Sequence, residues 1–457
     1  RIIKKKGHEI MSVNQEIKPI TTEINEKGHL CIGGCDLVEL AEKYDTPLYI
    51  YDEDTIRSMC QEYKKAFAKY EKSNFMFASK AFMTKALCAI LKEEGFGLDT
   101  VSGGEMYTAY SAGFDMSHVL LNGNNKSIDE LEMALDYNIG RYSVDNFLEL
   151  ALLDNLAKSK NKIVDIFLRI TPGIECHTHE YIQTGHLDSK FGFDLTQLDE
   201  AIDLIKEQYT NLNLVGLHAH IGSQIFETQV YYDEVGVILE EIRRIKEVHN
   251  IDLKEINLGG GLGITYTEAD VPPSVETIAD VIIRSIEVHC KEYNLEYPAI
   301  YLEPGRSIVG TSGVTIYTIG SSKQVPKGRR YVAVDGGMAD NPRPSMYQAK
   351  YTAVIANKAN EECNEEVTIA GRYCESGDIL IRDIKLPHPE EGDILCVFNT
   401  GAYGYSMSSN YNRTLRPAAV LVKNAQSDII IKRETYEDLV SDDEIPQRLS
   451  SKIMIEN

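Results

Sequence analysis

Eight short apolar runs recur along the middle of the chain, each ending in a polar residue or in glycines: FMFASK (75–80), FGLDTVS (96–102), VLLNG (119–123), RYSVD (141–145), DIFLRI (165–170), LVGLHAHIGS (214–223), INLGGG (256–261) and IYLEPGR (300–306). Amphipathic helical stretches separate them, among them residues 84–95, 103–113, 128–137 and 146–158. Strand and helix therefore alternate in one direction, which predicts parallel strands. Eight such units predict an α/β fold closed into a TIM barrel, whose reactive groups lie at the carboxyl ends of the strands. Lys80, Asp99, Asn122, Asp145, Arg169, His220, Gly259, Gly260, Gly261 and Glu303 occupy those ends and are expected to share one mouth.

The flanks read differently. TEINEKGHLCIGG (22–34) suggests a hairpin with a Lys-Gly turn, followed by a helix over 36–44 and a strand, PLYIYD (47–52). After Arg306 the period falls to two, in SGVTIYTIGSSKQ (312–324), RRYVAVDGG (329–337), KYTAVIANKA (350–359), EEVTIAGRYC (365–374), DILIRDIKLP (378–387), DILCVFNTGAY (393–403) and RPAAVLVKNAQSDIIIKR (416–433). These predict antiparallel strands, with turns at 326–328 and 390–392. The expected plan is an N-terminal segment (11–45) packing with the β domain, a barrel (46–310) and a mainly antiparallel C-terminal β domain (311–457). A chain of 457 residues suits a barrel of roughly 250 residues plus one further domain.

A formal charge of −23 repels phosphate backbones, which argues against nucleic acid as a partner. No apolar run is long enough to span a bilayer, and RIIKKKGHEIMSV lacks the apolar centre of a secretion signal. Nine scattered cysteines suit a reducing compartment. The expectation is a cytoplasmic protein without membrane contact, with residues 1–10 an extension ahead of Met11.

Chemistry-bearing residues cluster at the strand ends. A lysine aimed into a closed mouth, as expected for Lys80, would be desolvated and available to form a Schiff base; the plain alternative is a solvated lysine near a helix start. INLGGGLG (256–263) lets backbone N–H groups approach an anion after the seventh strand, where such barrels bind phosphate, although a tight turn would also need glycines. Glu303 in EPGR (303–306) can face a pyridinium nitrogen while Arg306 reaches a phosphate or carboxylate; an internal Glu303–Arg306 ion pair is the alternative. HAHIGSQ (218–224) puts His218 and His220 two residues apart, for metal or for stacking on an aromatic cofactor with Ser223 on its phosphate. The cluster of Cys176, His177, His179 and His186 lacks a regular zinc spacing, and no metal is expected.

FASKAF (77–82), HIGSQ (220–224), GGGLG (259–263), EPGR, NPRPSMYQA (341–349), CESGD (374–378) and TGAYGYSM (400–407) together resemble, in order, the diaminopimelate decarboxylase family, pyridoxal 5'-phosphate enzymes of the alanine-racemase-like barrel fold. The resemblance runs from about residue 20 to about residue 425. It implies that Lys80 carries the cofactor, His220 stacks on its ring and Glu303 holds the pyridine nitrogen. It places Ser223, Gly259, Gly260, Gly261 and Tyr403 at the phosphate, with Pro304, Gly305 and Arg306 beside the cofactor. Substrate contacts would fall to Arg306, Arg343, Tyr347 and Tyr403, with Cys374, Glu375 and Ser376 supplied across a homodimer interface. Cys374 would return the proton after loss of carbon dioxide. Diaminopimelate presents a distal carboxylate that wants arginine, so Arg343 favours it over arginine, ornithine or carboxynorspermidine. A catalytically silent regulatory homologue would tolerate loss of Lys80 or Cys374, and both are present.

Overall fold

The computed structural model describes residues 12–174 and 189–449. Eight parallel strands, β1 (Ser73–Ala78), β2 (Gly97–Thr100), β3 (Val119–Leu121), β4 (Arg141–Val144), β5 (Val164–Thr171), β6 (Leu212–His218), β7 (Glu255–Asn257) and β8 (Ala299–Leu302), pair in sequence order. β8 closes on β1 through Ile300↔Ser73, completing the expected barrel. The helices between the strands start where side chains can cap them: Thr84, Ser102 and Asn146 each accept an N–H from the first turn, and Ser127 with Glu130 forms a capping box.

Alternation along the strands sorts the barrel interior into layers. Met76, Leu120 and Phe167 pack together on its axis, with Val215 and Tyr301 against them. Two residues further along the same chains lie Asn122, Arg169 and Glu303, so the period of two that fills the floor with apolar groups lines the mouth with polar ones.

The second sheet runs in the order Ile379–Leu386, Glu365–Ala370, Arg330–Val334, Gly313–Gln324, Leu48–Asp52, Ala418–Lys423, Gln426–Ile431, with Ile394–Val397 paired to Gly313–Gln324 and Ala353–Ile355 paired in turn to Ile394–Val397. It is mainly antiparallel, but Arg330–Val334 pairs parallel with Glu365–Ala370, and Ala418–Lys423 parallel with Leu48–Asp52. Leu48–Asp52, placed in the barrel by the sequence boundary at residue 46, thus belongs to this sheet. All five of its residues are buried. Its pattern already sets it ahead of the eight barrel runs, so the error lies in the boundary and not in the strand.

Helix Gln229–His249 holds Glu234, which is 0 % exposed and whose two carboxyl oxygens find no hydrogen-bond partner among the described residues. Burial pushes this carboxyl well above the usual range, and the charge on Glu303 adds to the effect. A folded value above the unfolded one means that stability is fully present below the unfolded value and is lost as pH rises through the folded value. Glu234→Met should therefore raise the melting temperature at about pH 8, by an amount equivalent to roughly 1–3 kcal/mol, and by much less near pH 5. Melting curves of both proteins at the two pH values check this, and an equal gain at both would refute the titration.

Candidate active site

The mouth of the barrel opens into a cavity of about 350 Å³ lined by Lys80, Asp99, Asn122, Lys126, Arg169, His218, His220 and Glu303, among others. Of the strand ends expected to converge, Lys80, Asp99, Asn122, Arg169, His220 and Glu303 line it, whereas Asp145 and the Gly259, Gly260 and Gly261 run do not. Glu303 Oε1 accepts hydrogen bonds from Asn257 Nδ2 at 2.7 Å and Asn122 Nδ2 at 3.1 Å, and lies 3.5 Å from His218 Nε2. Burial opposes a charge on Glu303, but the His218 ring and the Asn257 amide outweigh it and hold the carboxyl well below its usual range. Asp99 takes the opposite state: burial, reinforced by Glu303, pushes it well above the carboxylate range, although Asn122 Nδ2 reaches its Oδ1 at 2.6 Å. Of two neighbouring buried carboxyl groups, Glu303 keeps the charge and Asp99 the proton.

His218 and His220, grouped on one strand face by sequence, separate here. β6 ends at His218, which is buried and shares a 2.6 Å hydrogen bond with Ser143 through Nδ1. His220 lies beyond the strand, where Gly260 N–H donates to its Nδ1 at 3.3 Å. Burial, helped by the cations Lys80 and Arg169, holds its ring well below the ordinary imidazole range, so it is uncharged.

The glycine run is packed to contact. A Cβ on Gly259 would lie 2.7 Å from His220 Nδ1, one on Gly260 would strike the Glu303 carbonyl, and one on Gly261 (φ +113°) would meet the Gly222 carbonyl at 2.5 Å. Only glycines bring this loop against both His220 and β8. On the next strand end, Lys126 Nζ pairs with Glu149 at 2.7 Å and binds the carbonyls of Gly123 and Ser143, which fixes the loop after β3.

Lys80 falls in a short 3₁₀ turn, Ser79–Ala81, and its side chain is exposed, so the expectation that it is desolvated is not met. The turn itself is clamped from the β domain: Tyr403 N–H and Ser406 Oγ both donate to the Ala81 carbonyl, at 2.8 and 3.1 Å. Tyr403 adopts φ +60° there, and its ring lies 4.8 Å from the Arg306 guanidinium.

Arg306 does not pair with Glu303. Its Nη2 donates to Ser223 Oγ at 2.9 Å and its Nη1 to Tyr266 Oη at 2.6 Å. Arg343 Nη1 donates to the same Tyr266 oxygen at 3.0 Å and to Tyr351 at 2.7 Å. The two guanidinium groups are buried, and among the described residues neither has a carboxylate partner. Pro304 accepts from Ala78 N–H at 3.1 Å, and a Cβ on Gly305 would crowd Ala78, so EPGR packs directly on β1.

Cys374, Glu375 and Ser376 are exposed on a loop of the β domain and do not line the cavity; Tyr347 is half-buried outside it. Asp378 staples that loop by accepting from Met338 and Tyr373 N–H at 2.7 and 2.9 Å. Cys374 N–H donates to Asn412, and Glu375 accepts from Tyr411. The cluster of Cys176, His177, His179 and His186 lies outside the described residues.

Sequence reasoning missed Asn257 and Tyr266. Asn257 ends β7 but is followed by Leu258 and the glycines in INLGGG, so the run does not mark it as VLLNG marks Asn122. Tyr266 follows the glycine run in a loop without periodicity and had no such mark.

A strand-end lysine, an ionised buried glutamate, a neutral histidine and a glycine loop beside a buried arginine fit a pyridoxal phosphate in its charged regions: ring nitrogen, aldehyde and phosphate each meet a suitable group. Residues 53–310 match the family described as pyridoxal-dependent decarboxylase, pyridoxal binding domain, so the protein is a pyridoxal-dependent decarboxylase; the match begins just past Leu48–Asp52. The diaminopimelate decarboxylase of Bacillus subtilis is 50% identical over 423 residues, covering 92% of this chain and 96% of that one. That of Synechocystis sp. is 50% identical over 450 residues, covering 96% and 95%. The crystal structure of the M. jannaschii diaminopimelate decarboxylase in complex with L-lysine superposes with a TM-score of 0.88 at 36% identity, covering 94% of this chain and 99% of that chain. The chain belongs to the diaminopimelate decarboxylase family.

Proposed function

We propose that this enzyme removes one α-carboxylate of meso-2,6-diaminopimelate as carbon dioxide and releases L-lysine, the last step of lysine synthesis. The observation that carries this beyond the family is the pair of buried guanidinium groups, Arg306 and Arg343, without a carboxylate of their own. A dicarboxylic substrate satisfies them; ornithine, with only an ammonium at its distal end, does not.

Pyridoxal phosphate, when bound, supplies an electron sink for the pair left on the α-carbon as the carboxylate departs. The chain's own groups do the rest. Lys80 Nζ, exposed on its turn, would hold the cofactor through its aldehyde. Ionised Glu303 would hold a proton on the ring nitrogen, and uncharged His220 would offer its ring for stacking without competing for that charge. Ser223, the Gly259, Gly260 and Gly261 loop and Tyr403 would hold the phosphate end, flanked by Pro304, Gly305 and Arg306. Arg306, Arg343, Tyr347 and Tyr403 would bind and orient the substrate.

Cys374, Glu375 and Ser376 are exposed and absent from the cavity of their own chain, which supports their serving the site of a second copy. In that homodimer Cys374 returns the proton to the α-carbon and Glu375 meets the distal ammonium. Cytoplasmic placement is supported by eight described cysteines that are all free and, among the described residues, by the lack of any helix long and apolar enough to cross a membrane.

Incubation of the holoenzyme with meso-diaminopimelate should yield carbon dioxide and lysine in equal amounts, and turn over ornithine or arginine far more slowly. Equal turnover of ornithine would remove the substrate assignment while leaving the decarboxylase class intact.

A further inference from the structure

Tyr266 lies in the segment that leaves β7, yet it packs in the core of the β domain with Tyr317, Ile319, Val332 and Tyr351. Its backbone is held at both ends: its N–H donates to Asp270 at 3.0 Å and its carbonyl accepts from Thr352 Oγ1 at 2.9 Å. Its ring stands edge-on to Tyr351, with centroids 5.3 Å apart at 83°. The phenol oxygen is thereby fixed where it accepts from Arg306, in the barrel helix Arg306–Val309, and from Arg343, in the β-domain helix Arg343–Tyr347.

Two cations sharing one neutral oxygen repel each other, and neither has a carboxylate among the described residues. Burial would raise the Tyr266 phenol, but the two guanidinium groups outweigh it and bring it below its ordinary range, so both donors pull on this oxygen. Arg306 Nε is buried with no hydrogen-bond partner among the described residues. An unused donor beside two uncompensated charges calls for an arriving oxyanion.

We propose that Tyr266 is a positioning residue that determines specificity: its phenol oxygen ties the barrel arginine to the β-domain arginine, so that the pair receives one carboxylate of the substrate as a unit. The proposal rests on the decarboxylation of diaminopimelate proposed above. A phosphate is also an oxyanion, and the cofactor brings one, so the test separates the two sources.

Tyr266→Phe keeps the ring and removes only the oxygen. In the holoenzyme it should raise KM for diaminopimelate by about tenfold or more while kcat falls less than about threefold. Titration of the apoenzyme with pyridoxal phosphate, read by the absorbance of bound cofactor, should be unchanged within about threefold. Tyr351→Phe removes a phenol that binds Arg343 alone and should have a clearly smaller effect on KM. In an Arg343→Gln background only one cation remains, so Tyr266→Phe should add little, a non-additivity that a general loss of packing would not produce. An unchanged KM, additive effects with Arg343→Gln, or equal effects of the two phenylalanine variants would each overturn the proposal. Weaker cofactor titration with KM unmoved would overturn the substrate assignment and give the arginine pair to the phosphate. Absence of turnover in the unmodified enzyme would instead refute the functional reading before any variant is made.

Discussion

Lys80→Ala should lower decarboxylation by roughly a hundred- to ten-thousand-fold while leaving the protein folded. The side chain is exposed on the Ser79–Ala81 turn, and that turn is held through the Ala81 carbonyl by Tyr403 and Ser406, none of which the substitution touches. Its cost in stability should therefore stay within about 0.5 kcal/mol. Loss of the bound-cofactor absorbance together with loss of turnover is the expected signature; substantial turnover with an unchanged spectrum would refute the anchoring role. The same variant tests the shared site. If the proposed homodimer shares its sites, mixing with Cys374→Ala chains under subunit exchange should give hybrid dimers in which one mouth carries both an intact Lys80 and an intact Cys374, so about a quarter of all sites should recover after random mixing. No recovery, with exchange verified independently, would place both residues in one chain's site.

Much of this arrangement is legible in the sequence because the barrel couples position to chemistry. Each apolar run marks a strand, the residue that ends it marks the mouth, and the alternation Leu120/Asn122, Phe167/Arg169 and Tyr301/Glu303 separates floor from site without any knowledge of distance. What fails to show is what depends on contacts between distant segments. Leu48–Asp52 stands ahead of the eight barrel runs, and only its pairing with Gly313–Gln324 and Ala418–Lys423 places it in the second sheet. Lys80 reads as a buried group because a strand end suggests a closed mouth, whereas its side chain is exposed on a turn just beyond the strand. Tyr266 has no periodic partner: the arginines that define it come from Arg306 and from Arg343, 40 and 77 residues further on. The ionisation of Glu303 and the protonation of Asp99 depend on Asn122, Asn257 and His218 converging from three strands. Residue type alone cannot assign one charge to two carboxyl groups.

That assignment makes the second large effect specific. Glu303→Gln keeps size and shape but removes the charge that would hold a proton on the ring nitrogen, so kcat should fall by roughly a hundred- to ten-thousand-fold, with a shift in the bound-cofactor spectrum. Asp99→Asn exchanges a neutral carboxyl for a neutral amide on the same network and should cost far less, about tenfold at most. The pH dependence carries the matching sign. Glu303 has a folded value below its unfolded one, so its ionised form contributes stability above the unfolded value that is lost as pH falls through the folded value. It remains charged across the working range, and the acid limb of kcat should therefore survive unchanged in Asp99→Asn rather than report the titration of Glu303. Measuring kcat against pH for the three proteins decides the matter. Equal losses in both variants would mean that the two carboxyl groups share the charge, and the ring nitrogen would then have no single partner at the end of β8.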